Sequence, residues 1–239
     1  MINKTGRFTL VGVDGCPGGW LAVIVHPRRA LAARVFATFA DLVESVGASA
    51  RIGIDIPIGL PEKGARQCEL DARQLLGRPR MSSVFPVPPR ACLRAESYDD
   101  ACLIRYEIDG KKMSKQAYGI LPKIREVDEY LTAHSRVASR VVEVHPELSF
   151  ATWNRNCAMV HNKKNAEGKA ERRRLIDKVW PGQMNRLRGT LKGEDYALDD
   201  LHDAIAALWS VRRWVADEGD EVGDIKARDG KGLGMRMVV

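Results

Sequence analysis

Residues 8–25 read FTLVGVDGCPGGWLAVIV, and the rest of the chain is interpreted outward from this stretch. Its two apolar runs, residues 8–13 and 20–25, are rich in β-branched side chains and flank the turn sequence DGCPGG. Because glycine and proline punctuate strands, the pattern predicts two adjacent antiparallel strands. A third apolar run, residues 31–39, extends them to a three-stranded antiparallel meander, after which Asp41 is expected to cap a short helix.

Two later segments have the composition of strands that are buried on both faces. RIGIDIPI at residues 51–58 is apolar apart from its charges at Arg51 and Asp55, and VVEV at 141–144 is similar. Helical periodicity marks residues 67–76, 166–180 and 198–215. The sequence therefore predicts an α/β fold: a mixed sheet, in which the antiparallel meander is followed by parallel strands, with helices on both faces.

The segment 78–122 interrupts this regular order. It carries several prolines and polar stretches, so we expect an irregular insertion on one core. The chain is thus predicted to form a single domain, residues 1–239, with an insertion at about 78–122. The tail after Gly219 is rich in glycine and charge and ends in MRMVV, which predicts an edge strand.

Composition bounds the functional classes. The chain has 239 residues, of which 45% are hydrophobic and 29% charged, which suits one large globular domain and excludes a disordered tail protein. Lys and Arg exceed Asp and Glu to give a net charge of +7, and residues 136–192 hold 13 basic against 5 acidic residues. Such clustering favours a polyanionic partner such as a nucleic acid. A solvated basic face explains the same charge equally well.

The sequence also predicts a compartment. No apolar run reaches the ~18 residues that a membrane span needs, and residues 1–8 lack the apolar core of a signal peptide. The five cysteines are scattered and include no C-x-x-C pair, which favours reduced thiols over a disulfide framework or a zinc site. We therefore expect a cytoplasmic protein without a membrane partner.

Acidic residues stand where apolar elements end. The sequence places them in LVGVDG, IGIDIP, VVEVHPE and LDDLHDAIAAL, at Asp14, Asp55, Glu143, Asp200 and Asp203. A buried carboxylate needs a compensating partner, and hard oxygen ligands of this kind are those that Mg²⁺ and Mn²⁺ prefer. Because Asp200 and Asp203 are three residues apart, they share one face of a helix. These five acids are our predicted catalytic residues and metal ligands.

Each acid also has a plainer interpretation. Asp14 could accept hydrogen bonds from a turn, and Asp199, with Asp200, could stabilise the start of a helix, Asp199 being the favoured N-cap. Glu143 could pair with a basic residue. His145, in the same motif, is as readily a structural histidine as a catalytic one.

Six motifs in fixed order carry a family resemblance: VGVDGCPGGW, IGIDIPIGLP, SSVFPVPPR, KQAYGILPKIREVDEYL, VVEVHPELSF and DDLHDAIAAL. Together they resemble the domain of unknown function 429 family, which is regarded as predicted nucleases of ribonuclease H-like fold. The resemblance spans about residues 8–214. It implies a ribonuclease H-like mixed sheet and a hydrolase in which one Mg²⁺ or Mn²⁺ ion activates water and a second stabilises the leaving oxygen.

The resemblance also implies roles for individual residues. Asp14 matches the aspartate on the first strand of ribonuclease H-like enzymes, and Asp55 resembles the carboxylate after the fourth strand in their Holliday-junction resolvase branch. Asp200 and Asp203 resemble the acidic pair on the final helix. The family's own E-V-H-P-E motif supplies Glu143 and, as a weaker candidate, Glu147. The insertion at 78–122 has no counterpart in the minimal ribonuclease H core and is expected to restrict which substrates enter.

Basic and polar residues complete the predicted site. Lys115 and Gln116 are candidates for binding a scissile phosphate or orienting a nucleotide, and Arg172 and Arg173 for following a phosphate backbone. Solvated surface charge is the alternative for all of them.

Two other functions fit the same residues. A non-catalytic nucleic-acid or protein interaction module on this fold would bind without a metal. An actin-like phosphotransferase would use VGVDGCPGGW as a phosphate-binding hairpin, but the second, equivalent hairpin of that superfamily is missing from the sequence.

Overall fold

The fold was analysed in a computed structural model that describes residues 4–27 and 29–239. Seven strands in this part of the chain form one mixed sheet in the order β3-β2-β1-β4-β5-β7-β6. The strands are β1 (Leu10–Cys16), β2 (Gly19–Val25), β3 (Ala32–Phe36), β4 (Arg51–Ile54), β5 (Val141–Glu143), β6 (Glu221–Val222) and β7 (Met237–Val238). Strands β1 to β3 are antiparallel, whereas β4, β5 and β7 follow in parallel pairing. The predicted mixed α/β class is confirmed.

The strand order departs from the expectation at the far side of the sheet. The tail sequence MRMVV does form a strand, but β7 lies between β5 and β6 and is not an edge. Strand β6 runs antiparallel to β7 and takes the edge, so the sheet does not end in parallel strands. The reason is that residues 219–239 fold back on themselves, with reciprocal backbone hydrogen bonds of 3.1 and 3.0 Å between Asp220 and Val239.

Helices cover both faces of the sheet. In chain order they are α1 (Phe39–Val46), α2 (Gln67–Leu76), α3 (Tyr98–Asp109), α4 (Lys115–Gly119), α5 (Leu121–Ala133), α6 (Ser135–Ala138), α7 (Pro146–Trp153), α8 (Ala166–Val179), α9 (Gln183–Thr190) and α10 (Leu198–Val215). The bounds of α2 and α10 agree with the prediction. Helix α1 begins earlier than expected, because Thr38 and not Asp41 is its N-cap and accepts a hydrogen bond from the Asp41 amide.

The two faces of β1 enter two different cores. Side chains alternate along a strand, so Val11 and Val13 face one side and Leu10, Gly12 and Asp14 face the other. Val11 and Val13 belong to the cluster that includes residues of α1 and α5, whereas Leu10 belongs to the cluster with α8, α9 and α10. Asp14 therefore shares its face with the long helix α10.

Glycines let α10 lie directly on the sheet. A Cβ atom on Gly12 would fall far inside van der Waals contact of the Ala204 carbonyl and the Leu208 amide, and one on Gly53 would lie 2.9 Å from the Ala207 carbonyl oxygen. Backbone therefore packs on backbone where α10 crosses β1 and β4. This approach brings the first turns of α10 to the carboxyl ends of both strands.

The segment 78–122 is more regular than predicted. It contains 3-10 turns at Arg80–Ser83 and Arg90–Arg94 together with α3 and α4, so the expectation of an irregular segment is wrong. Its helices enclose a separate apolar cluster that includes Cys92, Ala101 and Met113. The prolines predict an irregular segment, but they lie in the short connections before α3 and do not interrupt its helices. That the segment is an insertion in a single domain stays a prediction.

Membrane-spanning helices and disulfide bonds were both sought across the described chain. Among residues 4–27 and 29–239, no helix combines the length and the apolarity that crossing a membrane requires. All five cysteines are free thiols, as predicted.

Replacing Gly12 by alanine should destabilise the protein by about 3 kcal/mol or more, because the added methyl group would force α10 away from β1. Gly189→Ala is the matched control: nothing lies within 4 Å of its Cβ position inside α9, so it should raise stability by about 0.5–1 kcal/mol. Chemical denaturation of both variants measures the difference. Equal stabilities would contradict the close packing of α10 on the sheet.

Candidate metal centre

Three carboxylates from three different elements meet at the carboxyl ends of β1 and β4. Asp14 lies in β1, Asp55 directly follows β4, and Asp203 lies in the second turn of α10. One oxygen from each carboxylate lies within 4.8 Å of the other two. This spacing is short enough for a single cation to contact all three.

Strand register and helix packing explain why the three acids meet. Val13 pairs with Ile54 in the parallel ladder, and the Asp55 amide donates to the Val13 carbonyl at 2.9 Å, so the chain places Asp14 and Asp55 side by side. Asp203 precedes Ala204, whose carbonyl rests against Gly12. The third carboxylate is therefore carried to the site by the glycine-mediated approach of α10.

Burial disfavours the charged form of all three acids. Asp14 is 9% exposed and Asp203 only 1%. Burial, reinforced by the charge of Asp55, raises the pKa of Asp14 well above its ordinary value. Burial and the neighbouring Asp203 raise the pKa of Asp55 to about 8, and burial raises the pKa of Asp203 to about 6 against the opposing effect of Lys163. A cation that enters the site would therefore stabilise the charged form of these carboxyl groups.

Lys163 brings one positive charge to the three carboxylates. Its ammonium forms an ion pair with Oδ2 of Asp203 from the loop between α7 and α8. Burial opposes its charge, yet the carboxylates of Asp203 and Asp55 raise the pKa of Lys163 above its ordinary value. One ammonium does not neutralise three carboxylates.

Several polar atoms at the site are buried without a hydrogen-bond partner among the described residues. They are Oδ1 of Asp203, Oε2 of Glu147 and Nδ1 of His145. Glu147 uses its other oxygen to accept from Arg172, and His145 approaches the Ser83 carbonyl through Nε2 at 3.4 Å. Burial lowers the pKa of His145, so its imidazole is neutral. Buried polar groups without a hydrogen-bond partner are uncommon in folded proteins.

These atoms face a cavity of about 550 Å³. The three aspartates, Glu147, His145 and Lys163 all line it. The segment 78–122 contributes to its wall, together with the start of α5 and the loop before α8, through Arg80, Ser83, Phe85, Gln116, Ile120, Lys123 and Lys164. The cavity therefore combines an acidic end with basic and apolar walls.

Glu143, one of the predicted metal ligands, has a different role in the structure. Both of its oxygens accept hydrogen bonds from the Arg66 guanidinium, at 2.6 and 2.8 Å, and Oε2 also accepts from the Ile58 amide at 2.7 Å. Arg66 is itself buried and bonds to Glu69 at 2.7 Å. Glu143 lines the cavity but lies outside the three-acid group, and a fixed cation already neutralises it.

Asp200 also lies outside the three-acid group. Its Oδ2 accepts from the Ala197 amide at 2.8 Å, which closes the first turn of α10. The N-cap of this helix is Ala197, so the expectation that Asp199 caps it is wrong. Asp200 is three residues from Asp203 on the same helix face, but its side chain turns back toward the helix start.

The four predicted substrate-binding residues lie in different environments in the structure. Gln116 lines the cavity, whereas Lys115 is exposed and is not among its lining residues. Arg172 is fully buried and paired with Glu147, so it cannot follow a phosphate backbone at the surface, and this prediction needs correction. Arg173 is half-buried, with Nε bonded to Asp177 and Nη2 to Asn185, both at 3.0 Å.

Packing accounts for the glycines of the first hairpin. Gly19 has a positive φ of 122° and lies against the backbone of Phe36, while the Gly18 amide donates to the Asp195 carbonyl at 2.8 Å. Lys123 covers Gly15, donates to the Gly19 carbonyl at 2.5 Å and stacks over the Trp20 ring. The phosphotransferase alternative stays an untested prediction.

Sequence reasoning missed Lys163 and Arg66 and underrated Glu147. No spacing marks Lys163, because it lies in an irregular polar loop and meets Asp203 only through the tertiary fold. Arg66 is hidden in the same way, 77 positions before Glu143. For Glu147 a signal existed, since it closes the motif E-V-H-P-E at the start of α7.

Comparison with known families identifies the chain only by family. The model of the protein of unknown function family DUF429 matches residues 12–226, so the chain belongs to this family. Neither the curated proteins nor the solved structures contain a match.

The raised carboxyl pKa values predict how stability depends on pH. The native state holds these protons more tightly than the unfolded chain, so the stabilisation is present near pH 4 and is lost as the pH rises toward the folded pKa of Asp55, about 8. Without divalent ions, Asp55→Asn should therefore gain stability relative to the parent between pH 5 and about 8, by on the order of a few kcal/mol. Urea unfolding across this range measures the difference. A difference that stays constant across this pH range would contradict the raised pKa.

Proposed function

We propose that this member of the DUF429 family is a metal-dependent nuclease that hydrolyses phosphodiester bonds. The observation that carries the proposal is the close approach of the buried Asp14 and Asp203 and the half-buried Asp55, with Oδ1 of Asp203 lacking a partner among the described residues. Three hard oxygen donors around an unmet negative charge fit Mg²⁺ or Mn²⁺ better than any other common ion.

The fold supports a ribonuclease H-like assignment, as the motifs imply. Strands β1 to β3 form an antiparallel meander, β4 and β5 extend it in parallel, and a long late helix, α10, crosses β1. The three carboxylates occupy the first strand, the end of the fourth strand and that helix. This placement is the one that the resemblance leads us to expect for Asp14, Asp55 and Asp203.

The same residues bear on how many ions are held. The three aspartates suffice as protein ligands of one ion. A second ion would need another carboxylate, and Glu147 is the best candidate because its Oε2 lies at the cavity without a partner among the described side chains. We therefore propose Asp14, Asp55 and Asp203 as the main ligands and Glu147, in place of Glu143, as the additional one.

The reaction divides between the ion and the chain. A bound divalent ion would lower the pKa of a coordinated water and stabilise negative charge on the leaving oxygen. The aspartates would fix the position of the ion. The neutral His145, whose Nδ1 has no partner among the described residues, can accept a hydrogen bond or a proton from water. Water oxygen then bonds to phosphorus, the bond to the leaving oxygen breaks, and that oxygen takes up a proton. Lys163 and Lys164 lie on the cavity wall, where they can hold the phosphate.

Substituting a ligand separates this proposal from an interaction module. With Mn²⁺, the parent protein should cleave a single-stranded or structured polynucleotide, and Asp14→Asn or Asp203→Asn should lower the rate by about a hundredfold or more. Each substitution should also abolish the rise in melting temperature that Mn²⁺ causes.

Asp199→Asn is the matched control on the same helix, because Asp199 lies outside the three-acid group. It should keep both cleavage and the Mn²⁺ effect. Polynucleotide binding in EDTA without cleavage in Mn²⁺, and without any effect of Mn²⁺ on melting, would favour the interaction module and reject the nuclease.

Lys163→Met should tighten Mn²⁺ binding by roughly tenfold, because it removes a positive charge that pairs directly with Asp203. Isothermal calorimetry at pH 8 measures the affinity. Lys164→Met removes an equal charge from the same cavity wall, and no ion pair of Lys164 with the aspartates is observed, so it should change affinity less. Weaker Mn²⁺ binding in Lys163→Met would mean that Lys163 organises the aspartates and does not compete with the ion.

A further inference from the structure

A second cavity, of about 310 Å³, lies between α8, α9 and α10. It shares no lining residue with the acidic cavity. Three of its lining side chains are basic, namely Lys169, Arg173 and Arg174 from α8, and its floor includes Met184 and Leu198. The remaining polar lining residue is His202 of α10.

His202 is buried with its hydrogen-bonding capacity unused. It is 1% exposed, and neither Nδ1 nor Nε2 has a partner within the described chain. A neutral imidazole carries one N–H donor and one acceptor. Leaving both unmet is costly, so a ligand or water that reaches this ring would be stabilised.

The charges around the cavity select the sign of such a ligand. Lys169 and Arg174 border the same opening, and Arg174 is exposed. Arg173 engages two of its nitrogens with Asp177 and Asn185, which holds its guanidinium beside the cavity. No acidic residue is among the described lining residues, and Asp199 is the nearby acid that acts on His202. The field therefore favours an anion.

We propose that this cavity binds a phosphate group, with His202 donating a ring N–H and Lys169 and Arg174 supplying charge. Resting on the proposed function, we assign the phosphate to a nucleic-acid backbone. His202 and Asp203 are consecutive in α10, so their side chains diverge by about 100° around the same turn. One phosphate held beside His202 would anchor the backbone of a strand without reading its bases.

Inorganic phosphate tests the site without any polynucleotide. We expect the ring ¹⁵N and ¹H resonances of His202 to shift and saturate as phosphate is added, whereas chloride at equal ionic strength leaves them in place. His202→Leu should keep or raise the melting temperature, since it removes unmet polar atoms, and should abolish saturable phosphate binding. Resonances that follow phosphate and chloride equally would overturn the site.

Polynucleotide binding identifies the source of the phosphate. Binding is measured in EDTA by fluorescence anisotropy of a labelled single strand, with Asp14→Asn as the background so that no cleavage occurs. Arg174→Gln should weaken binding by roughly tenfold and lower the salt slope by about one. Arg188→Gln is the matched control, because it removes an equal charge from exposed α9 surface outside the cavity. It should change affinity by less than about twofold.

The outcomes separate this inference from the proposed function. Loss in Arg174→Gln alone supports the backbone site, even for a protein that cleaves nothing. Equal losses in both variants reduce the effect to general surface charge and overturn the backbone assignment. A saturable His202 shift beside equal losses assigns the cavity to free phosphate, and no shift with equal losses overturns the inference entirely.

Discussion

The site depends on one electrostatic constraint: three carboxylates, two of them buried and Asp55 half-buried, lie close enough to share one cation and cannot all be charged without a counter-charge. Neighbouring acids resolve the same problem differently. Glu143 has Arg66 and Glu147 has Arg172, each a buried and permanently charged partner. Within the part of the chain that the structure describes, the aspartates form an ion pair only with Lys163, a loop residue that contacts one oxygen of Asp203. Arg66 holds both oxygens of Glu143, which makes it a structural acid, whereas Glu147 gives only one oxygen to Arg172. The aspartates and the free Oε2 of Glu147 are therefore the groups that we propose to hold an exchangeable ion.

That constraint is imposed by backbone packing. Asp14 and Asp55 would lie side by side in any parallel pairing of this register, but Asp203 joins them only because Gly12 and Gly53 let α10 touch the sheet. The same contact buries Asp203 and so raises its pKa. Packing energy from the helix therefore offsets the cost of gathering like charges, and a bound cation would recover part of that cost.

Local patterns predicted those parts of the molecule that local forces determine. Alternation and turn residues locate β1 and β2, and periodicity gives the bounds of α10. The apolar run at residues 51–58 locates β4 but not its end, because the strand stops at Ile54 and leaves Asp55 just beyond it. Glu143 and Arg172 were assigned functional roles because a sequence does not reveal distant partners: Arg66 and Glu147 meet them only in the fold. The helices of the segment 78–122 were missed for a different reason. The prolines before α3 are a strong local sign of irregular structure, and the helices follow directly after them.

The basic surplus of residues 136–192 also changes meaning once the fold is known. Lys163 and Arg172 form ion pairs with internal carboxylates, and Arg140 donates a hydrogen bond to the Gly47 carbonyl. Only part of the excess positive charge therefore faces solvent. Much of that part lies on α8 and α9, beside His202 and not within the acidic cavity. A polyanion approaching the aspartates would be repelled until a cation neutralised them, whereas contacts on α8 need no metal. For the metal and the polyanion that we propose, each charge bound would lower the electrostatic cost of binding the other, so the two affinities would rise together and by the same factor.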